Sequence, residues 1–157
     1  MKTKSDHPGV YFPPPFIYVA AFLLSIFIQK KLPFSNSLLE SNFAFILGVL
    51  FAITGLNLIL PAVIKFSRTK NTLIPNKPAN SLQTAGIYSI SRNPMYLGLL
   101  VLYIGIACFK GNVWSLILIP MVILLVTKFV IRNEEEYLSR AFGIDYIEYQ
   151  KKVKRWI

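Results

Sequence analysis

The chain has 157 residues, 54% of them hydrophobic and 15% charged, with a formal net charge of +10. A soluble domain of this size carries roughly 25% charged residues, so the composition argues for a membrane-embedded protein. One cysteine, Cys108, and one histidine, His7, leave nothing from which to build a disulfide framework or a zinc site.

Residues 1–15 are polar and proline-rich, with Pro13, Pro14 and Pro15 in a row. They are expected to lie along the surface, ahead of a single membrane domain at 16–157. The first apolar run, 16–28, has no small-residue cleavage site and reads as a retained helix. A turn at 33–41 joins it to a second uncharged run, 42–64, as one hairpin. Roughly 20 apolar residues cross a bilayer, so the second run suffices alone. The others borrow flanking residues or thin the bilayer locally.

Residues 65–93 contain Pro75, Pro78 and Gly86 and show no strong helical period. A structureless stretch of that length in a small protein tends to be functional or disordered. The runs at 95–109 and 113–127 form a second hairpin around Gly111 and Asn112. A helix over 132–142 then continues past the membrane until Gly143 stops it, and Asp145 caps a last helix from Tyr146 towards Lys154. That last piece is amphipathic, with Tyr146, Tyr149, Val153 and Trp156 on one side, and either rests on head groups or forms a lid. The expected fold is an all-α integral membrane protein. It has about four transmembrane helices in two hairpins plus a C-terminal amphipathic cytoplasmic helix.

The basic residues are placed unevenly. Lys65, Arg68, Lys70, Lys77 and Arg92 fall in the middle loop, and Arg132, Arg140, Lys151, Lys152, Lys154 and Arg155 follow the fourth run. Lys30, Lys31 and Lys110 stand on the other side. This asymmetry puts both termini and the middle loop in the cytoplasm. The net charge then reports topology and anionic head groups rather than a nucleic-acid partner.

The stretch Ser89–Leu100, SISRNPMYLGLL, begins the third run with a charged doorstep. Pro94 suits the first helical position, and Asn93 suits the N-cap, accepting from the amides of Met95 or Tyr96. Arg92 reads locally as an interfacial anchor. The hairpin brings this doorstep to the depth of Arg132, Glu134, Glu135 and Glu136. Glu136 pairs naturally with Arg140, four residues on. Glu134 and Glu135 are left to Arg92 or Arg132, either as a structural clamp or around a polar cavity. Pro94, Gly98 and Gly105 form a small-residue stripe that lets another backbone approach or leaves a notch for a ligand. Tyr96 and Tyr103 share another face.

The order Leu82, Gly86-x-Tyr88, Arg92-Asn93-Pro94-x-Tyr96-x-Gly98, a hairpin, Glu134-Glu135, then Phe142-Gly143-x-x-Tyr146-x-x-Tyr149 and Val153 resembles the isoprenylcysteine carboxyl methyltransferase family over residues 66–157. The resemblance implies a membrane enzyme that uses S-adenosylmethionine without a Rossmann domain. It implies a cytoplasm-facing cofactor pocket between the last hairpin and the C-terminal segment, with a prenylated, lipid-like substrate entering from the bilayer. Carried over by motif, Arg92, Asn93, Pro94, Tyr96, Gly98, Glu134 and Glu135 bind the cofactor. Arg92 and Glu135 are the catalytic candidates, and Tyr146, Tyr149 and Lys152 are the substrate-binding ones. No metal is implied, and a bacterial cytoplasmic membrane suits the short loops better than the endoplasmic reticulum.

Two positions depart from that pattern. Asn93 stands where better-known members have histidine, and Lys152 stands at an arginine that precedes Val-Pro. Methyl transfer from a sulfonium needs alignment and dryness more than acid–base groups, so a shortage of histidine is compatible with it. Three rival expectations remain: a lipid-amine or small-thiol methyltransferase, an NADPH-dependent lipid reductase, and a membrane scaffold without catalysis.

Overall fold

A computed structural model describes residues 7–10, 13–69 and 79–157. Lys70, Pro75, Lys77 and Pro78 lie outside the described residues. All regular structure among the described residues is helical: α1 (Pro15–Lys31), α2 (Asn42–Arg68), α3 (Pro94–Phe109), α4 (Val113–Ile117), α5 (Ile119–Val126) and α6 (Arg132–Lys152). A 3-10 turn, Gly86–Ser89, precedes α3, and a π-helical turn, Thr127–Ile131, joins α5 to α6.

The helix ends follow local chemistry. Ser41 caps α2, its Oγ accepting from the Ala44 amide at 3.2 Å. Lys30 and Lys31 close α1, and Lys65 and Arg68 close α2, where cations face the negative end of the helix dipole. Among the described helices, α2 alone is both long and apolar enough to cross a bilayer, and α3 is apolar but has 16 residues. The expected fourth span is segmented. Pro120, in the first turn of α5, has no amide to extend the ladder of α4. The π-helical turn then shifts the register of everything that follows.

The first two helices do not pair as expected. The packing partners of α1 are α3, α4 and α5, whereas α2 lies along α3 in the most extensive helix contact of the molecule. Four glycines explain the choice. A Cβ on Gly48 would sit 2.8 Å from the Gly105 carbonyl oxygen, and one on Gly105 would sit 2.8 Å from that of Gly48. Gly55 and Gly98 oppose each other in the same reciprocal way, at 2.8 and 2.9 Å. The small-residue stripe of α3 therefore meets a matching stripe on α2, and the two backbones touch.

The main core gathers Tyr18, Ala21, Leu100, Tyr103, Val122, Val126 and Ile131. At the end of the bundle remote from the doorstep, the hydroxyls of Ser25 and Ser115 lie 2.7 Å apart, and Asn112 Nδ2 donates to Ser25 Oγ at 3.1 Å. This buried polar knot fixes α1 to the α3–α4 corner. The outward faces of α1 and α2 carry exposed Phe16, Leu23, Phe27, Phe43, Leu50 and Leu60, a continuous apolar coat that water would not tolerate well.

Gly143 breaks α6 as expected. Its φ of +54° lies outside the helical region, and two helical stretches meet there. The second stretch folds back so that Tyr146, Tyr149 and Val153 pack against Leu138, Phe142 and Leu82. The N-terminal segment is not purely superficial. Val10 is buried, and Pro8, Pro14 and Pro15 contribute to the wall of an internal cavity.

Candidate active site

The doorstep of α3 is built from the C-terminal tail. Asn93 occupies the N-cap position, yet its side chain makes no capping bond. Instead Nδ2 donates to the Arg155 carbonyl at 2.9 Å, and Ser91 Oγ donates to the same oxygen at 3.3 Å. The Arg92 amide donates to the Lys154 carbonyl at 3.0 Å, and the Asn93 amide donates to Ser91 Oγ at 3.1 Å. The expected cap is thus replaced by a strap, in which the doorstep donates to the part-buried carbonyls of the tail.

Three charged residues meet beside this strap. Arg155 grips Glu135 with its fork, Nε to Oε1 at 3.0 Å and Nη2 to Oε2 at 2.6 Å. Arg92 Nη1 lies 3.2 Å from Glu135 Oε1, and both side chains are mostly buried, 11% and 13% exposed. Arg92 Nε and Nη1 nevertheless have no hydrogen-bond partner. Of the two expected partners for the acidic pair, Arg92 is present, whereas Arg132 is exposed and forms no ion pair with either glutamate among the described residues. The expected Glu136–Arg140 pair is absent from the ion pairs among the described residues, since water solvates both exposed ends.

Glu134 takes the other direction, accepting from Tyr96 Oη at 2.6 Å. Burial pushes its carboxyl up to about 7; the Tyr96 hydrogen bond works against that shift and the neighbouring Glu135 charge adds to it. Tyr149 Oη donates to the Tyr88 carbonyl at 2.6 Å, and burial pushes the Tyr149 phenol up to about 12. The Tyr88 hydroxyl is itself buried and unpartnered.

These groups line one cavity of about 300 Å³, at the lower end of the usual size for small-molecule sites. The walls include Arg92, Asn93, Pro94, Tyr96, Glu134, Glu135, Tyr146 and Tyr149, so eight of the residues singled out from sequence converge. Two do not. Gly98 faces away, with Ile59 Cγ1 only 2.6 Å from where a Cβ would be, so it serves the α2 crossing rather than the cavity. Lys152 is exposed and off the cavity wall.

Sequence reasoning missed several contributors. Ile59, Val63 and Phe66 of α2 make an apolar wall opposite the charged one. Tyr137 lines the cavity too, its hydroxyl accepting from the Ala79 amide at 2.8 Å. Arg155 was hidden among neighbouring cations, and nothing in its spacing separated it from Lys151, Lys152 and Lys154.

Residues 43–145 match the family described as phospholipid methyltransferase. The chain belongs to the phospholipid methyltransferase family. That match spans α2 through the Gly143 kink and so contains most of the cavity wall. Curated relatives include a protein-S-isoprenylcysteine O-methyltransferase of Saccharomyces cerevisiae, 30% identical over 83% of this chain and 56% of the relative. Protein-S-isoprenylcysteine O-methyltransferase B of Arabidopsis thaliana is 33% identical over 72% of this chain and 56% of the relative. An uncharacterized protein of Haemophilus influenzae is 36% identical over 40% of this chain and 100% of the relative. The chain thus spans about half the length of the yeast and plant relatives. No solved structure matches it.

Proposed function

We propose that the chain is a membrane methyltransferase that takes its methyl group from S-adenosylmethionine and delivers it to the carboxylate of an isoprenylcysteine-type lipid. The carrying observation is the cavity's unspent polar capacity. Arg92 Nε and Tyr88 Oη are buried without a hydrogen-bond partner, and Arg92 Nη1 has an ion contact with Glu135 but no hydrogen bond, on or beside a wall that also carries the Glu134 carboxyl. Buried donors of that kind are costly unless a ligand satisfies them. Together with Glu134 they fit a molecule bearing an amino-acid end and sugar hydroxyls.

The residues would divide the work as follows. Arg92 seats a carboxylate, and Glu134, held by Tyr96, accepts from an ammonium or hydroxyl group. Glu135 is already engaged by two arginines and balances the charge of Arg92. Ile59, Val63 and Phe66 exclude water from the side where a lipid chain would lie. Bound S-adenosylmethionine supplies an electrophilic methyl group on a sulfonium. An ionised acceptor carboxylate needs no base, so the protein's contribution is orientation and a dry site.

In this reading α1, α2, α3 and the α4–α5 rod cross the bilayer, with the cavity and both termini on the cytoplasmic side of a bacterial membrane. One observation favours a second acceptor class. A carboxyl poised at about 7, as Glu134 is, can take a proton from a lipid amine before transfer.

The test is calorimetric titration of the detergent-solubilised protein with S-adenosylmethionine and, separately, NADPH. Labelled-methyl transfer to a prenylated cysteine peptide and to phosphatidylethanolamine follows. Sulfonium binding with transfer to the prenylated carboxylate is expected. NADPH binding without sulfonium binding would sink the reading, and transfer to the amine alone would replace the acceptor.

A further inference from the structure

Glu135 is shared unequally. Arg155 takes both of its oxygens with a parallel fork, whereas Arg92 reaches one oxygen and leaves Nε and Nη1 without a hydrogen bond. One carboxylate satisfies one guanidinium fork best, so two arginines on Glu135 compete. The contest is decided by the strap, which fixes the backbone of Arg155 through Asn93 and Ser91.

We propose that Arg155 is a positioning residue. By taking Glu135 with a two-bond fork it limits Arg92 to a single ion contact with that carboxylate and leaves Arg92 Nε free to seat a ligand carboxylate in the cavity. This rests on the reading that the cavity binds a carboxylate-bearing ligand. Without Arg155, Glu135 closes on Arg92 in a mostly buried setting, and an incoming carboxylate must displace it first.

A plain tether makes a different forecast. If Arg155 only ties down the tail through Glu135, Arg155→Gln and Glu135→Gln break the same link and weaken binding alike. In the positioning role their effects differ in size. Arg155→Gln releases Glu135 onto Arg92, whereas Glu135→Gln removes the competitor.

The experiment titrates the full-length protein and both variants with S-adenosylhomocysteine and with N-acetyl-S-farnesylcysteine, each against its decarboxylated counterpart. Arg155→Gln should weaken the carboxylate form of one pair by about tenfold, the scale of one charge-assisted hydrogen bond, and leave the decarboxylated form unchanged. Glu135→Gln should weaken it less, since no carboxylate is left to close on Arg92. The pair that responds identifies whether donor or acceptor carries the carboxylate. Equal losses in both variants, or equal losses with and without the carboxylate, overturn the proposal.

A ligand-free measurement keeps the two readings separable. Phenylglyoxal modification of Arg92, followed by mass spectrometry, should slow in Arg155→Gln and not in Glu135→Gln. Equal rates in all three proteins overturn the positioning role even where ligand binding is intact. Failure of the wild type to bind any of the four ligands instead removes the proposed function.

Discussion

Tyr96 Oη donates to Glu134 Oε1 at 2.6 Å, so the first turns of α3 and α6 share a hydrogen bond across the cavity wall. The bond holds in place a carboxyl that burial has pushed up from 4.5 to about 7. A raised carboxyl favours the native state when protonated. Its contribution is complete below the unfolded value and is lost as pH rises through about 7, to a limit of about 3 kcal/mol. Wild-type protein should therefore melt at a lower temperature at pH 8 than at pH 5.5, and Glu134→Gln should flatten that difference. Thermal melts of both proteins at the two pH values check it. A wild-type curve indifferent to pH, or a Gln variant that keeps the full difference, would count against a buried, proton-holding Glu134.

The glycine contact between α2 and α3 makes a stability prediction with a functional consequence. A Cβ at Gly55 would lie 2.7 Å from the Leu102 amide nitrogen and 2.8 Å from the Gly98 carbonyl, both backbone atoms that cannot swing aside. Gly55→Ala must separate the helices and should cost about 1–3 kcal/mol, the usual range for overpacking. The shift also moves Ile59 and Val63 at the cavity wall. Ligand affinity should fall along with the unfolding midpoint in detergent. Unchanged stability would mean that the two backbones do not meet as described.

Much of this arrangement was legible in the sequence, for a reason that also explains the omissions. The doorstep and the acidic exit lie at the same end of two consecutive apolar runs, so chain geometry alone brought Arg92 to Glu135. Periodicity reads which residues share a helix face and is silent on which helix that face meets. Hence the stripe at Gly98 was visible while its partner, the Gly48 and Gly55 stripe, was not recognised. Tyr137 and Arg155 sit beyond the expected pocket and in a tail crowded with cations. Nothing local distinguishes such positions until tertiary hydrogen bonds pick them out. The Asn93 cap did not form because the side chain is oriented instead by its Nδ2 donating to the Arg155 carbonyl of the tail.

Asn93 offers a direct test of side-chain equivalence. Its Nδ2 donates to the Arg155 carbonyl, a task that needs only an N–H at the right place. An imidazole has one, so Asn93→His should keep ligand affinity within about threefold. Asn93→Asp replaces the donor with an acceptor facing a carbonyl oxygen, close to Glu135. That variant should lose at least tenfold in affinity and about 1–3 kcal/mol in stability. Titration calorimetry and melting of the two variants separate the outcomes. Equal behaviour of His and Asp would remove the strap's hydrogen bond from the account.

Gly143 tests the fold-back by backbone conformation alone. At φ +54° and ψ −125° the position is strained for any residue with a Cβ. Added atoms would meet nothing within 4 Å, so packing gives no reason against substitution. Gly143→Ala should therefore cost about 1–3 kcal/mol purely through strain. Ile144, next along the chain and 65% exposed, is the matched control, and Ile144→Ala should stay within about 0.5 kcal/mol. The consequence reaches the site because the stretch after the kink carries Tyr146 and Tyr149 to the cavity and leads to Arg155. If the chain relieves the strain by straightening, those side chains leave the wall and ligand binding falls with stability. A Gly143→Ala protein as stable as wild type, with affinity intact, would show that the reversal of α6 does not depend on glycine at the bend.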